Sequence, residues 1–243
     1  MIKAVLTGHS KGLGWGIAQS LLAKGYPVLG LSRSIHAELQ NQFPMLLQQL
    51  PVDLADNAAL QNLASGNVMR EFMADATLVL LINNAGLVSP IGPLNAQAAS
   101  DISRSIQLNV TVPMVLSAQL TQLLTAGQHL RILHVSSGAG RSAYPGWSVY
   151  CASKAALDMH AQAVQRDKLD QVKICSLAPG VIDTDMQAQI RQTDEALFPN
   201  KKRFEELKNS QLLTSPEKAG ERLVDYLLSP RFGSEAVDDL RSQ

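Results

Sequence analysis

Ile2-Lys3-Ala4-Val5-Leu6-Thr7-Gly8-His9-Ser10-Lys11-Gly12-Leu13-Gly14 is the stretch that decides the fold. Residues 2–6 form a mostly apolar run that stops at Thr7-Gly8. Residues 13–24 then carry Ile17, Leu21 and Leu22 at helical spacing, and Gly25 ends the helix. A glycine loop joins the two. Gly8 allows a tight turn, Gly12 lets a phosphate approach the backbone without meeting a Cβ, and Gly14 lets the helix pack closely on the strand. Open N–H groups and the helix dipole then favour a pyrophosphate. The spacing is G-x3-G-x-G rather than G-x-G-x-x-G, and alone it is also compatible with a plain glycine turn.

Outward from this unit, short apolar runs alternate with helix-like segments. Strands are expected at residues 27–31, 46–52, 78–83, 130–136 and 172–177, with Gln48 and Gln49 interrupting the second of these. Helices are expected at 57–64, 68–73, 101–125, 149–168 and 216–228. Ser215 reads as the cap of the last helix, with Pro216 at its first position. Strands alternating with crossover helices mean an α/β fold: one doubly wound domain over residues 1–243, with a mostly parallel sheet of about seven strands and helices on both faces. Residues 185–214 differ. They are more polar, carry Lys201-Lys202-Arg203, and read as one or two short helices outside the sheet that cover the substrate.

A chain of 243 residues buries enough surface to need no disulfide or metal staple. Charged residues are 17% and hydrophobic residues 46%, which excludes disorder as the main state. Lys+Arg and Asp+Glu are each 21, so neither nucleic acid nor an anionic membrane is expected as a partner. Cys151 and Cys175 lack zinc-ligand spacing, and no metal site is expected. With no apolar run of membrane length and no export segment, a cytoplasmic location is the expectation.

Further motifs point to a nicotinamide cofactor. Strand two ends in Leu29-Gly30-Leu31-Ser32-Arg33-Ser34, without the acid that would accept bonds from ribose hydroxyls in an NAD site. Arg33, with Lys11 in the glycine loop, suits a 2′-phosphate instead, so NADP(H) is the expected cofactor. Tyr150-Cys151-Ala152-Ser153-Lys154 puts Tyr150 and Lys154 on one helix face. A nearby ammonium lowers a phenol's pKa, although Y-x3-K also arises by chance. Ser137 ends strand five and Asn83-Asn84-Ala85-Gly86 ends strand four, at the carboxyl rim where ligands sit in such sheets. Asn109 is a polar residue in an apolar helical stretch.

These strings, with Pro179–Thr184, occur in the order of the short-chain dehydrogenase/reductase family, and the resemblance covers nearly the whole chain. It implies a Rossmann-type fold and a catalytic set of Ser137, Tyr150, Lys154 and Asn109, with Asn109 ordering water near Lys154. It further implies cofactor contacts by Gly8, Ser10, Lys11, Gly12, Leu13, Gly14 and Arg33. Asp53 would meet the adenine beside Leu54. Asn83, Ala85 and Gly86 would line the cofactor with Tyr150, Lys154, Pro179, Gly180, Val181 and Thr184. Family helices at 101–125 and 149–168 pair across a two-fold axis, which implies a homodimer.

A narrower resemblance, in residues 81–86, 146–159, 178–187 and 233–238, is to the sepiapterin reductase group and its bacterial benzil reductase relatives. It implies that Trp147 and Met186 face the substrate with Ser137 and Tyr150, and that Asp238 matches a pterin-anchoring carboxylate. Trp147 could equally be a core aromatic, and Asp238 an exposed tail charge. Residues 87–97 and 188–214 do not match that group. The expected reaction is hydride transfer from NADPH to a ketone of a planar substrate, a pterin-like compound or a vicinal diketone. A neutral substrate is expected, because no Arg or Lys is obviously placed for a carboxylate. The alternatives are a non-catalytic NADP(H)-sensing protein on the same fold and a carbonyl reductase of unrelated substrate range.

Overall fold

Strand β1 (Ile2–Thr7) sends Ala4 and Leu6 to one face of a sheet and Val5 to the other, all fully buried. That alternation is the pleat of a strand covered on both sides. Ala4 and Leu6 join Ile17, Leu21, Leu223 and Leu227 beneath helices α1 (Gly12–Ala23) and α10 (Pro216–Leu228). Val5 joins Leu60, Met69, Leu116 and Leu120 beneath α3 (Asn57–Ser65), α4 (Val68–Met73) and α6 (Val112–Leu123). Two apolar layers thus sandwich one sheet in a single α/β domain. The structure, a computed structural model, describes residues 1–242; Gln243, the last residue of the expected domain span, lies outside them.

The other strands are β2 (Val28–Ser32), β3 (Leu47–Pro51), β4 (Leu78–Asn83), β5 (His129–Val135), β6 (Val172–Ala178) and β7 (Val237–Asp239). Their order is β3-β2-β1-β4-β5-β6-β7, and every pairing is parallel. The order reverses between β1 and β4, which makes the carboxyl ends of these strands the crevice for a ligand. Local signals act as expected at several ends. Gly25 follows α1 with φ +80°, and the Ser215 hydroxyl accepts from the Lys218 N–H at 3.4 Å at the start of α10.

One expectation needs correction, and two elements carry no sequence signal. Residues 101–125 are not one helix: α5 (Ala99–Ile106) passes through a π-turn at Gln107–Thr111 into α6. Strand β7 is absent from the sequence reading because three residues are too few to show a period. Helix α2 (Ala37–Gln42) was also unread; it buries only Leu39, so it has no apolar stripe to detect. The remaining helices are α7 (Ser148–Arg166), α8 (Asp185–Gln192) and α9 (Lys201–Asn209), the last two being the short helices expected outside the sheet. Among the described residues, no helix is long and apolar enough to cross a membrane, and no His, Cys, Asp or Glu group could hold a metal.

Candidate active site

At the carboxyl rim a cleft of about 550 Å³ runs from the glycine loop past Tyr150 to α8 and α9. The loop supplies Gly8, Ser10, Lys11, Gly12, Leu13 and Gly14 to its wall. No side chain caps the start of α1, whose preceding residue is Lys11, so its first-turn N–H groups are left to an anion. A Cβ on Gly14 would stand 1.9 Å from the Gly8 carbonyl oxygen, which is why this turn of helix can approach the loop only as glycine. The loop is tied to β4 by Thr7, whose hydroxyl accepts from the backbone N–H groups of Asn84 and Ala85, both at 3.0 Å.

Arg33, Asp53 and Leu54 lie along the same wall. Asp53 is gripped by Arg104 at 2.8 Å, and that hydrogen bond holds its carboxyl below the usual range. Arg104 was not foreseen, because nothing in the sequence shows that α5 turns this residue toward the end of β3. Lys11 is not free for a phosphate as it stands: its ammonium pairs with Asp185 at 2.8 Å. Both groups are exposed, so the pair is weak and easily exchanged.

The NNAG turn divides between the cleft and the core. Ala85 and Gly86 line the cleft, but Asn83 does not; its buried amide meets His134 Nδ1 at 3.1 Å. Asn84 lines the cleft instead and donates to the carbonyls of Thr7 and Gly8 at 3.0 and 3.1 Å. Two adjacent residues leaving a strand face opposite ways, so only one of the pair can serve the site.

Tyr150 and Lys154 stand one turn apart near the start of α7, facing the cleft where Ser137 leaves β5. Burial pushes the Tyr150 phenol up to about 12, opposed by a hydrogen bond from Ser137. Burial pushes the Lys154 ammonium down to about 8. Its Nζ donates to the Val135 carbonyl at 2.8 Å and lies 5.6 Å from the Tyr150 ring centre. The phenol thus lies above its ordinary value, and the group that lowers it is Ser137 rather than the Lys154 expected from the sequence.

Asn109 occupies the π-turn, a feature that often re-aims side chains at functional sites. It does not touch the cleft directly. Its Oδ1 accepts from the Leu87 N–H, and its Nδ2 donates to the Leu87 carbonyl, both at 2.8 Å. Nδ2 also reaches the Ser153 hydroxyl at 3.2 Å, which fastens the NNAG turn to the helix bearing Tyr150 and Lys154. A Cβ on Gly86 would come within 3.2 Å of Asn109 Oδ1 and 3.7 Å of Lys154 Nζ, so this glycine keeps the three parts together.

Pro179, Gly180, Val181 and Thr184 line the cleft after β6, and Met186 opens α8 beside them. Trp147 also lines it while almost wholly buried: it is 4% exposed. It stacks on Phe198 at 4.6 Å and contacts Tyr144, Tyr150 and Phe204 at 5.3–5.4 Å. Core and pocket roles are combined in one residue. Asp238 is not brought to the cleft. Its Oδ2 accepts from the Tyr226 hydroxyl at 2.7 Å and its Oδ1 from the Asp239 N–H at 2.8 Å. Arg203 and Arg241, by contrast, do line the cleft, although no cation was foreseen on its substrate side. Cys175 is fully buried.

Residues 3–195 match the family described as short chain dehydrogenase. The chain belongs to this short-chain dehydrogenase/reductase family. It is an oxidoreductase. Within the family it is 32% identical to a benzil reductase ((S)-benzoin forming) of Bacillus cereus over 94% of both chains. It is 30% identical to a sepiapterin reductase of Bos taurus over 97% of this chain and 92% of that one. A solved short-chain dehydrogenase/reductase of Burkholderia vietnamiensis is 42% identical, with a TM-score of 0.73 over 99% of this chain and 97% of its own.

Proposed function

We propose that this short-chain dehydrogenase/reductase uses NADPH to reduce one carbonyl of a planar, aromatic or conjugated dicarbonyl compound. The observation that carries the reading is the meeting of Tyr150, Ser137 and Lys154 in one cleft, with an open helix start at one end and an aromatic wall at the other.

The residues present fit such a cofactor. The uncapped start of α1 accepts a pyrophosphate, and Arg33 with Ser10 and Ser34 offers a 2′-phosphate both charge and hydroxyls. Asp53 and Leu54 would meet the adenine, and Pro179 to Thr184 would border the nicotinamide. When bound, NADPH supplies the hydride. Tyr150 holds the proton for the carbonyl oxygen; with its phenol pushed up to about 12, it stays protonated at every working pH. Ser137 donates a hydrogen bond to the same oxygen. Lys154 remains a cation at neutral pH and stabilises the phenolate left behind. Asn109 positions the NNAG turn against these groups and supports the water that returns the proton. Trp147, Met186, Leu87 and Val88 supply a flat apolar wall, and the segment 185–214 covers the substrate.

Benzil-like diketones and sepiapterin-like pterins are the two substrate classes supported by the similarity. A diketone is favoured by the side chains of the cleft, since Asp238 is engaged by Tyr226 away from it. The enzyme is further proposed to form a cytoplasmic homodimer through α5–α6 and α7, which light scattering at micromolar concentration checks. The deciding experiment follows NADPH oxidation with benzil, other vicinal diketones and sepiapterin. Turnover with at least one, and a higher kcat/KM with NADPH than with NADH, is expected. No turnover with any, despite tight NADPH binding, would favour a sensing role and sink the proposal.

A further inference from the structure

Six cations line the wall of the cleft, and among the described residues all but two of them hydrogen-bond a carboxylate or a backbone carbonyl. Lys11 pairs with Asp185, Arg104 with Asp53 and Arg241 with Asp239. Lys154 donates to Val135. Arg33 stands after β2 at the end read as the 2′-phosphate site. Arg203 is the other, on α9, at the aromatic end. Among the described residues it makes no ion pair. Its two neighbours in the basic run 201–203 do: Lys201 pairs with Glu205 and Lys202 with Glu195. The run is therefore not a uniform solvated patch; its third member alone turns into the cleft.

Arg203 is held there by an aromatic ladder. Its Nη1 donates to the Tyr144 hydroxyl at 3.4 Å, and its guanidinium carbon lies 6.0 Å from the centre of that ring. Tyr144 lies 5.3 Å from Trp147, and Trp147 lies 5.3 Å from Tyr150. The next residue on α9, Phe204, is buried against Trp147 at 5.4 Å. The arginine is thus positioned two rings away from the phenol that serves the carbonyl. One N–H of its planar fork is engaged and the rest stay available for a carboxylate.

We propose that Arg203 is a specificity-determining residue that recognises an anionic group at the far end of the substrate. Resting on the reductase reading above, the substrate class becomes a planar dicarbonyl with a carboxylate or similar anion at the end remote from the reacting carbonyl. A neutral diketone uses the aromatic wall and Tyr150 but leaves Arg203 idle. A carboxylated one uses all three.

The test compares benzil with 4-carboxybenzil at saturating NADPH. The unmodified enzyme is expected to prefer the carboxylated compound by about five- to tenfold in kcat/KM, the lower range of a charge-assisted contact because Arg203 is exposed. Arg203→Gln should remove that preference, change benzil turnover less than about twofold and leave the Kd of NADPH unchanged. Arg203→Glu should invert the preference, and raising salt from 0.05 to 0.5 M should shrink it, as screening requires. Equal losses on both compounds, or none on either, overturn the assignment. So does a parallel loss of NADPH affinity, which would place the arginine on the cofactor. If the unmodified enzyme reduces neither compound, it is the substrate reading that fails. Calorimetric binding of 4-carboxybenzil to the NADP⁺-loaded protein then judges Arg203 independently: weaker binding by Arg203→Gln supports it, and equal binding overturns it.

Discussion

The two ends of the cleft are built by different means. The glycine-loop end consists of backbone leaving the carboxyl ends of β1, β2, β3 and β4, where turns of fixed length present N–H groups and a few side chains. The aromatic end consists of side chains gathered from three distant segments: Leu87 and Val88, Tyr144 to Tyr150, and α8 with α9. A site made of turns is written as local spacing. A site made of converging side chains depends on how helices outside the sheet dock. This is why one end can be shared across a family while the other is free to change its ligand.

The largest test strikes where the ends meet. Tyr150→Phe removes the proton donor and keeps the ring that packs on Trp147. Steady-state kinetics should show kcat reduced by roughly 10²–10⁴-fold, with NADPH titration giving an unchanged Kd. Retention of more than a tenth of kcat would break the assignment. Next is the cofactor end. Arg33→Asp adds a negative charge where a 2′-phosphate is proposed, and should lower the ratio of kcat/KM for NADPH over NADH by about 10- to 100-fold. The KM for the carbonyl compound should stay put; if it moves equally, the two ends are not separable.

A third test is pH. Lys154 is pushed down to about 8, so its cation is present below that pH and lost above it, while Tyr150 at about 12 keeps its proton throughout. At saturating NADPH, kcat/KM for reduction should therefore be level below pH 8 and fall by up to about tenfold per unit above it. A profile still level at pH 10 would remove Lys154 from the proton chemistry. The smallest effect is expected of Asp238→Ala. Losing the bond from Tyr226 should cost about 1 kcal/mol in urea unfolding and alter benzil and sepiapterin turnover alike. A loss confined to sepiapterin would restore the pterin-anchoring role.

Much of this was legible from residues alone. The β1–loop–α1 unit, Ser137 and the Tyr150–Lys154 pair depend on short-range geometry, and the structure sets them in one cleft. What could not be read has physical reasons. Asn83 and Asn84 are identical side chains, and only the way the chain leaves β4 decides which one faces the cleft. Asn109 stands out as polar, but the π-turn that aims it is a local break in helical period. Arg104 and Arg203 look like ordinary surface charges until α5 and α9 are docked. Trp147 could be core or pocket because it is both, stacked on Phe198 and lining the cleft.

The strand order carries one more consequence, for how the molecule comes into being. From β4 onward the sheet is laid down in the order of the chain, each strand joining the edge made by the strand before: β5 on β4, β6 on β5, β7 on β6. During synthesis this half can grow outward as it leaves the ribosome, with no strand inserted between two already paired. Until residues 237–239 emerge, however, the outer edge of β6 is bare, with Ser176, Leu177 and Ala178 lacking their partners. A chain halted before residue 237 would hold a nearly finished site beside an open parallel edge able to recruit another copy. Residues 237–239 thus act as a seal, and their loss should be felt first as aggregation.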